Sequence, residues 1–140
     1  MGKNYEALVS NRIFVGGVDG VEDLLANEKI DVIFDLRVTL KDHPAENLRV
    51  HQPIADESPS QDKSIKKVVD EVVKAYNEGK NVYFHCTSGR GRAGTLAVAT
   101  LMELGLAETV EEAEGKAKAI RPKIDVKPDQ KAALDKIYNG

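Results

Sequence analysis

The hydrophobic positions of this chain fall into one long helical stripe and several short runs. The stripe follows the spacing i, i+3, i+4, i+7, i+8 and i+11, which places all its members on one face of an α-helix. These members are Ile65, Val68, Val69, Val72, Val73 and Tyr76. Lys and Glu occupy the opposite face, and Gly79 is expected to end the helix.

The shorter apolar runs predict the remaining elements. Runs rich in β-branched and aromatic residues predict strands over Arg12–Val15, Ile30–Leu36, Leu48–Ile54 and Asn81–His85, the first followed by a turn at Gly16-Gly17. Further helices are expected over Val21–Lys29, Arg92–Leu104, Thr109–Ile120 and Pro128–Tyr138. This alternation predicts an α/β fold with a central, mostly parallel sheet of four to five strands and helices on both faces. No segment has the composition of a linker, so residues 1–140 are interpreted as a single domain.

Composition narrows the classes of function. The chain is 41% hydrophobic and 31% charged, with a net charge of −3, so no strong positive field attracts nucleic acid. One cysteine excludes an internal disulfide, and three histidines do not suggest a metal site or another cofactor. The first residues lack the apolar core of a signal peptide, and no run approaches the roughly 18 apolar residues of a membrane span. We therefore expect a cytoplasmic protein without a stable membrane anchor; the oligomeric state is not readable from sequence.

Residues 85–95, HCTSGRGRAGT, carry the candidate chemistry. They join a buried strand to a buried helix, and ligands of open α/β sheets bind beyond the carboxyl ends of the strands. The amides of residues 87–92 can form a nest for an oxyanion, since Gly89 and Gly91 permit the close backbone approach that this requires. Arg92 adds a planar fork that matches two phosphate oxygens.

The same geometry acts on the single cysteine. A helix N-terminus with nearby cations favours the thiolate form of a cysteine, which is the nucleophilic form. The alternative is that Cys86 is a small buried hydrophobe, as many isolated cysteines are. The spacing Cys-x5-Arg with two glycines in a strand–loop–helix context favours a working site.

At these residues the chain resembles the cysteine-dependent protein tyrosine and dual-specificity phosphatases, whose signature is His-Cys-x-x-Gly-x-x-Arg. The resemblance extends to IFVGGVDGVEDLLANEKIDVIFDLR near the start and to RPKIDVKPDQ before the last helix. It implies a dual-specificity-phosphatase-like fold. It also implies a phosphate-binding loop made of Thr87, Ser88, Gly89, Arg90, Gly91 and Arg92.

The resemblance implies a two-step hydrolysis through a phosphocysteine on Cys86, without a metal or other cofactor. Family members take a general acid from a loop upstream of the cysteine, which here matches Asp56. Alternatives are that Asp56 caps the following helix or that Glu57 is the acid. Asp35, at a strand end, is a weaker candidate and is interpreted as structural.

Further residues receive roles from the resemblance. His85 is expected to order the loop through hydrogen bonds rather than to act as acid or base. Gln130 matches the glutamine that positions the hydrolytic water in some relatives, although it is equally compatible with an exposed position at a helix start. His43 and His51 lie outside any motif and are interpreted as ordinary surface or packing residues.

Two positions depart from the family pattern. Most relatives have Ser or Thr where this chain has Ala93, and loss of that hydroxyl is expected to slow breakdown of the phosphoenzyme by about ten- to a hundredfold. Arg90 resembles a basic residue of lipid phosphatases of the phosphatase-and-tensin type. A phosphoprotein is therefore the expected substrate and partner, with a phosphoinositide or other small phosphorylated molecule as the alternative. Further alternatives are a slow phosphate-binding pseudophosphatase and a single-cysteine sulfurtransferase.

Overall fold

The computed structural model describes residues 4–57 and 59–139. Its strands are β1 (Tyr5–Val9), β2 (Ile13–Gly17), β3 (Val32–Asp35), β4 (Arg49–His51) and β5 (Val82–Cys86). Its α-helices are α1 (Val21–Asn27), α2 (Ser60–Asn77), α3 (Arg92–Glu103), α4 (Val110–Ile120) and α5 (Pro128–Tyr138). A short 3₁₀ turn, Val18–Gly20, joins β2 to α1.

The five strands form one sheet in the order β1-β2-β5-β3-β4. Strand β5 lies in the centre and pairs in parallel with β2 on one side and with β3 on the other. Strand β4 continues the parallel part, whereas β1 is an antiparallel edge strand. Since parallel strands all end at the same edge, the carboxyl ends of β2, β3 and β5 meet around the residues that follow Cys86.

Side chains alternate between two cores along the strands. Ile13, Val15, Val82 and Phe84 face the larger core, which α2, α3, α4 and α5 cover. Phe14, Ile33 and Tyr83 face a smaller core that includes Val21 and Leu24 of α1. The helices therefore cover both faces of the sheet, as the sequence predicted.

The structure confirms the predicted α/β fold and corrects two local predictions. The sequence analysis did not predict strand β1, and Gly16-Gly17 extends β2 instead of forming a turn. A Cβ atom at Gly16 would lie 2.3 Å from the carbonyl oxygen of Asn4, so only glycine lets the two strands approach this closely. Gly79, with φ of +85°, follows α2 as expected.

None of the helices that the structure describes combines the length and the apolar character that a bilayer crossing requires.

Candidate active site

Strand β5 and helix α3 place the predicted loop at the carboxyl edge of the sheet. Cys86 is the last residue of β5, and Arg92 is the first of α3. The loop opens onto a cavity of about 510 Å³. Its lining residues are Asp56, Cys86, Thr87, Ser88, Arg90, Gly91, Arg92, Lys127, Asp129 and Gln130.

The carbonyl groups of the loop are held from outside the cavity. Four of these carbonyls accept hydrogen bonds from backbone amides: that of residue 85 from Leu36, that of residue 87 from Val18, that of residue 90 from Asp125 and that of residue 91 from Thr95. The carbonyls of residues 86, 88 and 89 accept from side chains. Carbonyl and amide of one trans peptide point in opposite directions, so carbonyls fixed outward turn the intervening amides inward. The result is a nest of donors suited to an oxyanion.

Arg121 supplies two of these contacts and was not predicted from the sequence. Its Nε donates to the carbonyl of Gly89 at 2.9 Å, and its Nη2 donates to that of Ser88 at 3.0 Å. The guanidinium is buried and is held by Asn4 and by Glu6 of β1, the latter at 2.6 Å. The edge strand therefore supports the loop through Arg121. The resemblance of residues 121–130 to the family segment was the available signal.

Cys86 lies at the base of the cavity and is 5% exposed. The amide of Gly89 donates to its Sγ at 3.2 Å. Gly89 has φ of +74°, and a Cβ atom there would lie 2.5 Å from Arg121 Nη2, so glycine is required. Ala93 is buried, and the hydroxyl of Thr95 donates to the carbonyl of Gly91 at 2.8 Å, so Thr95 does not take the place of the missing hydroxyl at position 93.

Arg92 joins the loop to the segment that follows β4. Its Nε donates to the carbonyl of Ile54 at 2.9 Å, and its Nη2 donates to a carboxylate oxygen of Asp56. The structure thus brings Asp56 to the same cavity as Cys86. Glu57 is exposed, and its carbonyl accepts a hydrogen bond from the amide of Gln61 in the first turn of α2.

The start of α5 forms another wall of the cavity. Gln130 is 8% exposed, and its Oε1 accepts a hydrogen bond from the amide of Lys127 at 3.0 Å. Gln130 therefore lies at a helix start, but it is buried and lines the cavity instead of facing solvent. Asp129 is a second carboxylate on this wall that the sequence analysis missed, and it accepts from Gln61 Nε2 at 3.0 Å. Arg90 is exposed on the rim.

Asp35 is a structural anchor below the loop. Arg37 donates to it through Nε at 2.9 Å and Nη2 at 2.8 Å, and Arg49 adds a contact at 3.2 Å. Burial by itself raises the pKa of Asp35, but the side-chain and backbone hydrogen bonds from Arg37 outweigh it and lower the pKa to about 2. Asp35 is buried, in keeping with its interpretation as structural.

Two histidines lie beside Asp35. Nε2 of His43 is 2.9 Å from Nε2 of His85, and Nδ1 of His85 is 2.9 Å from the carbonyl oxygen of Cys86. The ligand-type atoms of Asp35, His43 and His85 lie within 4.8 Å of one another. Each ring nitrogen already has a hydrogen-bonding partner, and two arginines neutralise the carboxylate. These contacts describe a hydrogen-bonded cluster and supply no free ligand set for a metal.

A second cavity, of about 300 Å³, continues the site toward the loop between β3 and β4. It is lined by Arg37, Val38, Thr39, Lys41, Asp56, Thr87 and Arg92. Val38 and Leu40 are exposed, at 47% and 63%. Lys41 makes no ion pair with any residue that the structure describes. This rim is therefore both apolar and positively charged.

Comparison with known proteins identifies the family. The model of the dual specificity phosphatase catalytic domain matches residues 13–139. The chain belongs to this family. Its members are cysteine-based phosphatases, and this chain is a phosphatase of the protein-tyrosine/dual-specificity type. A search of curated protein sequences found no match.

Solved structures of dual-specificity-type phosphatases share the fold of this chain. Human DUSP28 is 17% identical with a TM-score of 0.84, over 99% of this chain and 95% of that one. Tk-PTP in its active form is 22% identical with a TM-score of 0.80, over 99% of both chains. PTPMT1 in complex with PI(5)P is 19% identical with a TM-score of 0.77, over 96% of this chain and 94% of that one. At these identities the likeness establishes the architecture and leaves the substrate of this phosphatase to its own residues.

Proposed function

We propose that this phosphatase hydrolyses phosphomonoesters through a covalent phosphocysteine on Cys86. The proposal rests on the hydrogen bonds that shape the loop. The carbonyls of residues 85–91 are all held from outside, and Sγ of Cys86 accepts a hydrogen bond from the amide of Gly89 in the loop that leads into α3. The inward amides of residues 87–92 and the guanidinium of Arg92 would bind three phosphate oxygens. The same positive end of the helix favours the thiolate that attacks phosphorus.

The first step transfers the phosphoryl group to sulfur. The thiolate of Cys86 forms the S–P bond while the ester P–O bond breaks, and the departing oxygen takes a proton from Asp56. In the second step Asp56 accepts a proton from water, whose oxygen attacks phosphorus. The S–P bond then breaks, which releases inorganic phosphate and restores the thiolate. These two steps require no metal or other cofactor.

The ion pair between Arg92 and Asp56 links phosphate binding to the release of the proposed general acid. In the structure the Asp56 carboxylate is paired with the guanidinium of Arg92. A bound phosphate dianion competes for the same guanidinium. Asp56 is then released from Arg92 and can turn toward the leaving oxygen.

Gln130 is proposed to orient the attacking water. Its side chain lines the cavity close to the loop, since a Cβ atom placed on Gly91 would lie 3.4 Å from both amide atoms of Gln130. His85 is proposed to act as a buried structural donor to the loop. It is fully buried, and burial lowers its pKa to about 4, so it stays neutral at pH 7.

A phosphoprotein with phosphotyrosine, and with phosphoserine or phosphothreonine in addition, is the proposed substrate. The alternative is a phosphoinositide or another small molecule that carries more than one phosphate. Arg90 and Lys41 favour that alternative, because each is a cation on the cavity wall without an ion pair among the described residues. PTPMT1, which shares the fold, has been solved in complex with PI(5)P.

The proposed setting is a reducing compartment, with the cytoplasm as the simplest choice, because a catalytic thiolate works only while it is reduced. Residues 1–140 are proposed to work as one domain. The net charge of −3 argues against nucleic acid as a partner.

Replacing the nucleophile while keeping the binding loop tests the proposal. Cys86→Ser is expected to abolish hydrolysis of p-nitrophenyl phosphate and to keep the binding of tungstate, an oxyanion that the nest should hold. Arg92→Lys is the companion variant and should lose tungstate affinity, because an ammonium cannot replace the two-pronged guanidinium. Turnover by Cys86→Ser at the wild-type rate would exclude the phosphocysteine. An inactive wild-type protein that binds tungstate would favour the pseudophosphatase reading.

A further inference from the structure

His43 and His85 form a pair of buried imidazoles that meet through their Nε2 atoms below the proposed phosphate-binding loop. Both side chains are buried, at 8% and 0% exposure, and their ring centroids are 5.0 Å apart with 26° between the planes. His43 belongs to the loop between β3 and β4 and precedes His85 by 42 residues. The sequence analysis interpreted it as an ordinary surface or packing residue. The structure shows that interpretation to be incomplete, because His43 contacts the histidine that precedes Cys86.

The backbone fixes which nitrogen carries the proton at each end of this pair. At one end, the amide of Ala45 donates to Nδ1 of His43 at 2.9 Å, so Nδ1 carries no hydrogen. At the other end, Nδ1 of His85 faces the carbonyl oxygen of Cys86, which can only accept, so this Nδ1 carries the hydrogen. Burial lowers the pKa of both imidazoles, so each is neutral at pH 7 with one N–H.

These two independent assignments agree at the point where the rings meet. A neutral His43 without hydrogen on Nδ1 carries it on Nε2, and a neutral His85 with hydrogen on Nδ1 has a free lone pair on Nε2. The Nε2 atoms are 2.9 Å apart, so His43 Nε2–H donates to His85 Nε2. The resulting series runs from the amide of Ala45 through both imidazoles to the carbonyl of Cys86. Every donor in it meets an acceptor.

We propose that His43 is a positioning residue for the nucleophilic loop, which it serves by holding His85 in the tautomer that binds the carbonyl of Cys86. This inference rests on the proposed role of Cys86. A donor at His43 Nε2 is compatible only with the Nδ1–H form of His85. That form keeps the carbonyl of Cys86 pointed away from the cavity, and the same peptide then directs the amide of Thr87 into it.

Without a donor at position 43, the other tautomer of His85 becomes accessible. Its Nδ1 would then present a lone pair to the carbonyl oxygen of Cys86, where two acceptors repel each other. The peptide between Cys86 and Thr87 would lose the hydrogen bond that holds its carbonyl, while the other carbonyls of the loop would keep their donors. We therefore expect poorer catalysis in an otherwise folded protein.

Three substitutions separate this role from simple packing. His43→Gln places an amide donor near the position of Nε2, His43→Asn places a carbonyl acceptor near that of Nδ1, and His43→Leu has neither. If His43 acts through His85, kcat for p-nitrophenyl phosphate should stay within about threefold of wild type in the Gln variant. The Asn and Leu variants should lose about tenfold or more. If His43 acts only through the amide of Ala45, the Asn variant keeps activity and the Gln variant loses it, which overturns the proposal.

Nitrogen-15 NMR and Tm measurements test the proposal independently of enzyme activity. Nitrogen-15 NMR of the wild-type imidazoles should show the hydrogen of His85 on Nδ1 and that of His43 on Nε2. A hydrogen on Nε2 of His85 would refute the proposal even in a fully active enzyme. The Tm of each variant identifies losses caused by unfolding, and equal kcat in all three variants with a lowered Tm would reduce His43 to a packing residue. An inactive wild-type protein with the expected NMR pattern would count against the proposed function instead.

Discussion

Arg92 of helix α3 donates a hydrogen bond to Asp56, which lies in the loop after β4, 36 residues earlier in the chain. The contact connects the arginine proposed to bind phosphate with the aspartate proposed to protonate the leaving group. It also places both side chains at one wall of the cavity that contains Cys86.

Asp56→Asn should reduce activity in a way that depends on the leaving group. Esters of poorly acidic alcohols need a proton donor, so their kcat/KM should fall by about 10²–10⁴-fold, whereas p-nitrophenyl phosphate should lose far less. Glu57→Gln is the matched control, because Glu57 is the neighbouring exposed carboxylate and should leave both rates unchanged. An equal loss for every ester in the Asn variant would move the general acid to another residue.

Ala93→Ser should accelerate breakdown of the phosphoenzyme. A hydroxyl at this buried position, directly after Arg92, is expected to donate to the sulfur and make it a better leaving group. Turnover should rise by up to about tenfold, and any initial burst of p-nitrophenol should shrink. Ala97→Ser adds the same hydroxyl one turn further along α3 and controls for the cost of burying it. An unchanged turnover in the Ala93 variant would show that the first step or product release limits the rate.

Arg121→Met should loosen the phosphate-binding loop. It leaves the carbonyls of Ser88 and Gly89 without their donor, at a cost to the free energy of unfolding of about 1–3 kcal/mol for each group left unpaired. The kcat/KM for p-nitrophenyl phosphate should fall at least tenfold. Lys123→Met removes a nearby exposed cation and should change neither quantity much. Wild-type kinetics in the Arg121 variant would mean that the loop holds its shape without this side chain.

Stability should decrease in mildly acidic solution because His85 is buried. Its pKa is about 4 in the folded protein, against 6.5 for an ordinary histidine. Below pH 6.5 the unfolded chain binds a proton at this residue that the folded protein does not accept until about pH 4. The free energy of unfolding should therefore fall by up to about 1.4 kcal/mol per pH unit in this window. Below this window, Asp35 is protonated in the unfolded chain before it is protonated in the folded protein. The free energy of unfolding therefore falls further, down to about pH 2.

Urea unfolding at pH 7, 6 and 5 measures this slope. A free energy of unfolding that stayed constant from pH 7 to pH 5 would contradict the burial of a neutral His85.

The pattern of hydrophobic positions was enough to predict most of the fold. Helix α5 has the predicted bounds, and α2, with its single apolar stripe, was the clearest element before the structure was known. Strand β1 was missed because it is an edge strand whose burial alternates irregularly, and its pairing with β2 is a long-range contact. Gly16 and Gly17 were interpreted as a turn because local propensity does not show that another strand lies against them.

The proposed loop residues could be named from the sequence because they lie in one continuous segment. Five residues separate Cys86 from Arg92, in a pattern that few other functions require. The residues that hold the loop come from distant parts of the chain. Arg121 approaches from the end of α4, where the resemblance of residues 121–130 to the family segment was the available signal. His43 approaches from the loop after β3, where no motif marks it.

The reactivity of Cys86 tests the phosphocysteine proposal. Cys86 is the only cysteine, so its alkylation by iodoacetamide can be followed across pH without interference from other thiols. At about pH 6, iodoacetamide should alkylate Cys86 markedly faster than it alkylates a free thiol, and tungstate should protect the residue, because the proposed nucleophile lies in the proposed oxyanion site. Alkylation no faster than that of a free thiol, with no protection by tungstate, would contradict the phosphocysteine proposal.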